Sequence, residues 1–154
     1  MFSGKTSALI RDASSTPNAL VIDYDTSMSS GMLESHDHKR VKCITTSTLM
    51  SLNVESSIIF INEGQFFEDL VEFVKLRISL GDTVYVYGLD GDFKQETFGR
   101  ILELIPFADT YIKLYATCNV CNRKASFSKR MSSNTSQYAP EDTYIPVCRM
   151  CLKI

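Results

Sequence analysis

Two parts of the chain carry residue types able to do chemistry. Near the start, Ser3-Gly4-Lys5-Thr6 reads as the end of a phosphate-binding loop of the G-x-x-x-x-G-K-[ST] kind. In such a loop, backbone N–H groups and the lysine hold phosphates, and the hydroxyl ligates Mg²⁺. The full pattern needs a glycine five residues earlier with a strand ahead of it; here Met1 stands three residues before Gly4. Near the other end, Cys118-Asn-Val-Cys121 and Cys148-Arg-Met-Cys151 form two C-x-x-C pairs. One C-x-x-C turn points two thiolates at one ion, and two turns supply a closed tetrahedral set for a structural Zn²⁺, with no open position for catalysis. The stretch between the pairs exceeds the usual ribbon spacing, so a loop is expected to be thrown out there. The alternative is two disulfides or a redox pair. Cys43 stands alone and is expected to be a buried small apolar residue.

A third element connects the first two. Ser57-Ile-Ile-Phe-Ile61 has the β-branched and aromatic content of a buried strand and ends at Asn62-Glu63. Ligands of parallel α/β sheets sit at such carboxyl strand ends. In a phosphoryl-transfer reading Glu63 is the candidate base for a substrate hydroxyl. It could equally be a capping carboxylate ahead of Gly64.

These residues need a scaffold. A short helix is expected from Thr6 to Ala13, ended by Ser14-Ser15-Thr16-Pro17, then a strand over Ala19–Tyr24. Residues 26–35, rich in Ser, Gly and Met, read as loop, and Val41–Thr46 as a short strand. Phe67, Leu70, Val71, Val74 and Ile78 have helical spacing closed by Gly81. Thr83–Tyr87 reads as strand, Phe98–Leu104 as helix, and Tyr111–Tyr115 as the last strand of this body. Strands alternating with helices imply an α/β fold with a mostly parallel sheet and flanking helices. The character changes after Thr117, so residues 1–116 are expected as a phosphate-loop, kinase-like α/β domain and residues 117–154 as a small zinc-binding module.

Bulk properties narrow the function. The 154 residues are 44% apolar and 22% charged, which suits a packed domain and argues against disorder. A net charge of −2 and a pI near 5.7 argue against a nucleic-acid or anionic-membrane partner. No apolar run approaches the roughly 18 residues of a membrane span, and no secretory signal is evident. A cytoplasmic, reducing location is expected.

Four ordered stretches, IIFINEGQFFEDLVEF, VYGLDGDFKQETFGRILELIPFAD, IKLYATCNVCNRKASFSKRM and VCRMC, closely resemble the type II thymidine kinases of cells and large DNA viruses. MFSGKT matches the end of that family's phosphate loop, and residues 7–48 match loosely. The resemblance implies transfer of the γ-phosphate of ATP to the 5′-hydroxyl of thymidine. It assigns Ser3, Gly4, Lys5 and Thr6, with Asn62, to ATP and Mg²⁺, and makes Glu63 the general base. Phe66, Leu89, Phe93, Phe98, Ser128 and Tyr144 are implied around thymidine, the last two in a lasso loop between the zinc knuckles. Cys118, Cys121, Cys148 and Cys151 are the implied zinc ligands. His36-Asp37 matches a His-Asp pair of the family. A homo-oligomer, commonly a tetramer, is the implied assembly.

The sequence departs from that pattern in three places. The family's opening strand, central in its sheet, does not precede the loop, so an N-terminally truncated phosphate loop with open neighbouring strand edges is expected. Asn62 stands where the family has aspartate, and Ala139-Pro140 near its lasso Gly-Gly. The competing expectation is a catalytically degenerate homologue acting as a binding or assembly subunit. A zinc-ribbon nucleic-acid binder would rest on Arg123, Lys124, Lys129 and Arg130, against an acidic whole.

Overall fold

A computed structural model describes residues 2–152. Two compact units arise: one comprises Lys5–Asp90 and Phe98–Asp109, the other Gly91–Thr97, the residues up to Gly4 and those from Thr110 onward.

The first unit is built from α1 (Lys5–Ser14), β1 (Leu20–Tyr24), β2 (Ser29–Glu34), β3 (Arg40–Thr46), β4 (Ile58–Ile61), α2 (Leu70–Ser79) and β5 (Thr83–Val86). The sheet order is β2-β3-β1-β4-β5. β1 runs parallel to β3 and β4, and β4 parallel to β5; only β2 is antiparallel. The expected α/β class with a mostly parallel sheet is therefore the observed one.

Strand periodicity explains why both faces are covered. Ile22, Ile59 and Ile61 point into a core with Phe67, Leu70, Val71, Phe73 and Val74. The intervening Val21 and Phe60 point to the other face, against Leu9, Ile10 and Ala13 of α1 with Leu33 and Cys43. Cys43 is thus the buried apolar residue expected. Each fully buried aliphatic or aromatic side chain contributes about 1.5–3 kcal/mol, so the alternation sets the register.

Three local expectations are corrected. Residues 29–34 form a strand, because pairing with β3 from Ser29↔Thr45 to Glu34↔Arg40 overrides their weak strand propensity. Phe98–Leu104 is not an α-helix; a 3₁₀ segment runs Ile101–Phe107, with Gly99 left-handed at φ +58° and Pro106 unable to donate. Tyr111–Tyr115 is not a strand: among the described residues no strand pairs with it, and Tyr111, Ile112, Leu114 and Tyr115 are exposed. β5 is an edge of its sheet.

The second unit holds two antiparallel pairs, β6 (Ala116–Thr117) with β7 (Lys124–Ala125) and β8 (Phe127–Arg130) with β9 (Tyr144–Val147), followed by the single turn α3 (Arg149–Leu152). Its core is small: Cys118, Ala125, Val147, Cys148 and Leu152, with Phe127 and Ile145 packed alongside. A core of that size needs a staple.

Candidate functional site

The carboxyl ends of β1 and β4 and the start of α1 carry the first group of residues. Gly4 has φ +77° with nothing within 4 Å of where a Cβ would lie, so the backbone can turn into α1. Lys5 and Thr6, both half-buried, open that helix. Burial lowers the Lys5 pKa, opposed by the carboxylates of Glu63 and Asp90. The lysine is therefore a partly desolvated cation with two nearby anions. Ser7, one residue on, donates to Asp37 Oδ1 at 2.8 Å, as does Ser35 at 2.6 Å. These bonds, Ser35 first, hold the Asp37 carboxyl well below the usual range. Asp37 of the His36-Asp37 pair is thus tied to the first turns of α1.

Asn62 and Glu63 leave β4 in different ways. Asn62 is buried, and its Nδ2 donates to Asp23 Oδ1 at 2.9 Å. Glu63 takes a left-handed backbone, φ +50° and ψ +41°, rare for a residue with a side chain. Its side chain makes no cap hydrogen bond to the 3₁₀ turn Gly64–Phe66 that follows. The capping alternative is therefore not what the structure holds. Its Oε2 instead accepts from Gln65 Nε2 at 2.5 Å.

Gln65, which sequence reasoning left without a role, organises this corner. It is buried, and its Oε1 accepts from Leu89 N at 2.9 Å, so one amide joins Glu63 to the end of the β5 segment. Gly64 N donates to Tyr87 O at 2.9 Å. The space is cut to fit: a Cβ on Gly88 would lie 2.5 Å from Gln65 Oε1, and one on Gly99 1.9 Å from Gln65 O. The sequence signal was the glycines themselves, Gly88 ahead of Leu89 and Gly99 after Phe98.

The predicted aromatics assemble beside it. Phe66 and Phe98 meet edge to face, centroids 5.4 Å apart, and Tyr24, missed in the sequence, lies 5.1 Å from Phe66. Leu89 is half-buried.

Within the second unit, Phe93 and Tyr144 are tilted neighbours at 6.5 Å. Ser128 is half-buried on β8, opposite Pro146. Cys118, Cys121, Cys148 and Cys151 bring their Sγ atoms within 4.8 Å of one another. All five cysteines are unpaired, and the Cys121 and Cys148 sulfurs stand 3.5 Å apart. Two disulfides are therefore not formed. Four sulfurs at such separations suit a tetrahedral ion with metal–sulfur bonds of about 2.3 Å. Arg123 donates to Cys121 Sγ at 3.4 Å and brings that thiol down to about 6, favouring the thiolate that a metal needs. The donor set fits Zn²⁺.

A mostly parallel α/β sheet with a Gly-Lys-Thr helix start and a separate four-cysteine cluster defines a nucleotide-binding fold carrying a metal-type module. The thymidine kinase family model matches residues 1–152. Among curated relatives, the chain is 38% identical to the cytosolic thymidine kinase of Homo sapiens, covering 98% of this chain and 69% of that protein. It is 37% identical to the cytosolic enzyme of Cricetulus griseus over the same shares. With the thymidine kinase of Yaba monkey tumor virus it shares 39%, covering 98% of this chain and 89% of that one. The chain belongs to the thymidine kinase family. Membership implies a phosphotransferase that uses ATP and Mg²⁺. Among the described residues no helix is long and apolar enough to cross a membrane.

Proposed function

We propose that this chain passes the γ-phosphate of ATP to the 5′-hydroxyl of thymidine, with Glu63 as general base. The observation that carries this is the Glu63 side chain itself. It is presented by a strained left-handed residue, oriented by Gln65, and within electrostatic reach of Lys5. Strain of this kind persists where the surroundings over-determine it, and it concentrates at reactive positions.

In this reading Ser3, Gly4, Lys5 and Thr6 cradle the nucleotide phosphates, the first two through backbone N–H groups. Thr6 and Asn62 would hold Mg²⁺, which would supply neutralisation of charge on the phosphate oxygens. Glu63 accepts the proton of the attacking hydroxyl. The family likeness supports Phe66, Leu89, Phe93, Phe98, Ser128 and Tyr144 as the residues for thymidine. Residues 117–154 act as the zinc-stiffened lasso. The family likeness supports a cytoplasmic homo-oligomer, commonly a tetramer.

The test is transfer from labelled ATP to thymidine by zinc-replete protein with Mg²⁺, beside a Glu63→Gln variant. Thymidine monophosphate should form with the parent and fall about 10²- to 10⁴-fold in the variant, the usual share of a general base. A folded, zinc-loaded parent that makes none would overturn this reading in favour of a binding or assembly subunit.

A further inference from the structure

Arg130 closes β8 and Tyr144 opens β9, and the two are register partners at the neck of the loop spanning 131–143. The Arg130 side chain is 1% exposed, an uncommon place for a permanent cation. A charge so placed must have its partners, because a buried ion without them loses its hydration and gains nothing in return.

The loop supplies most of those partners. Arg130 Nη1 donates to Asn134 O at 2.7 Å and to Ser136 O at 2.6 Å. Nε donates to the Tyr144 hydroxyl at 3.0 Å and lies 3.1 Å from Asp142 Oδ2, and Nη2 also donates to that hydroxyl. The flat face is used as well. Its central carbon sits 3.9 Å from the Phe93 ring centroid and 5.0 Å from that of Tyr144. A second tie lies further along the loop: Gln137 Nε2 donates to Asp92 Oδ2 at 3.0 Å and to Thr97 O at 3.2 Å.

We infer that Arg130 is the positioning residue of this loop, holding it in the nucleoside-receiving conformation and fixing the Phe93 and Tyr144 rings against its guanidinium. The inference rests on the thymidine roles proposed for those two rings. A planar fork of five donors can meet two carbonyls and a hydroxyl at once, stand beside a carboxylate and offer its face to an aromatic ring; a lysine ammonium cannot. Lifting the loop would strand the buried charge, so the closed form is favoured before substrate arrives. Part of the ordering entropy of binding is thereby already met.

The experiment compares the parent with Arg130→Lys and with Asp142→Asn, the milder variant that keeps the fork and removes its counter-charge. Readouts are steady-state kinetics, zinc content, and cleavage after Glu141 by a glutamate-specific protease. Arg130→Lys should raise the thymidine KM about tenfold or more while kcat and the ATP KM stay within about twofold, the pattern of lost substrate positioning without lost chemistry. Loop cleavage should quicken with zinc content unchanged. Asp142→Asn should move the same two readouts in the same direction, less far, and decides the matter if Arg130→Lys does not fold. Folded, zinc-loaded variants with parental thymidine KM and parental cleavage would overturn the inference, as would equal losses in kcat and both KM values. Should the parent itself fail to phosphorylate thymidine, the functional reading falls, and cleavage rates alone judge whether Arg130 holds the loop.

Discussion

Asn62 Nδ2 donates to Asp23 Oδ1 at 2.9 Å, from one parallel strand to its neighbour, just past the paired residues Ile22 and Ile61. The position that carries an aspartate in the family pattern is neutral here, yet a carboxylate stands within hydrogen-bond reach of it.

Asn62→Asp should set two carboxylates against each other at that distance. Like charges so placed raise one of the two pKa values. A raised folded-state carboxylate pKa costs stability once pH exceeds the unfolded value near 4, and nothing below it. The variant's melting temperature should match the parent's near pH 4 and fall below it by pH 7, with Mg²⁺ recovering part of the deficit. A deficit of the same size at both pH values would contradict the pairing.

Gln65→Ala should leave the Leu89 N–H without its acceptor and Glu63 without its donor. An unmet buried donor costs about 1–3 kcal/mol. The expected kinetic result is a kcat loss of about tenfold or more with the ATP KM little changed. Parental kcat in a folded Gln65→Ala protein would show that Glu63 needs no such support.

Gly99→Ala and Gly81→Ala make a contrasting pair. Both glycines have positive φ, +58° and +87°, but a Cβ on Gly99 would lie 1.9 Å from a backbone oxygen, whereas nothing lies within 4 Å at Gly81. Gly81→Ala should cost about 1–2 kcal/mol, the left-handed penalty alone. Gly99→Ala must also displace Gln65 and should cost more, measured by urea unfolding, and should lower kcat. Equal costs at the two sites would refute the close packing around Gln65.

Zinc analysis should find one ion per chain, lost to chelators and absent from Cys148→Ser. Because the second unit's apolar core is so small, metal removal should collapse amide dispersion for residues 116–152 while signals of α1 and β1 to β5 persist. A chelated protein with unchanged spectra would sink the staple role.

Much of this was legible in residue order. The runs Leu20–Tyr24 and Ile58–Ile61 are mostly apolar over strand length because side chains of both sheet faces are covered there, and Thr83–Val86 is strand-like by its β-branched and aromatic content although Thr83 and Tyr85 stay exposed. The C-x-x-C pairs announce a cluster of four sulfurs because each turn is local, and Gly-Lys-Thr and Asn62-Glu63 advertise themselves by type and position. Pairing was harder to see. Ser29–Glu34 is a strand because β3 lies beside it, whereas the more strand-like Tyr111–Tyr115 is not, because no strand among the described residues does.

What the sequence by itself determined is the layered α/β body, the four-sulfur cluster, and the residue types at the start of α1 and the end of β4, all set by periodicity or by contacts a few residues apart. Tertiary structure alone decided that Gln65 would orient Glu63, that Asp23 would face Asn62, and that Arg130 would be buried under a loop. Each of those depends on a tie from a distant segment, Leu89 to Gln65, Asp23 to Asn62 and Phe93 to Arg130, where geometry over a few ångströms sets the outcome and no spacing rule along the chain can express it.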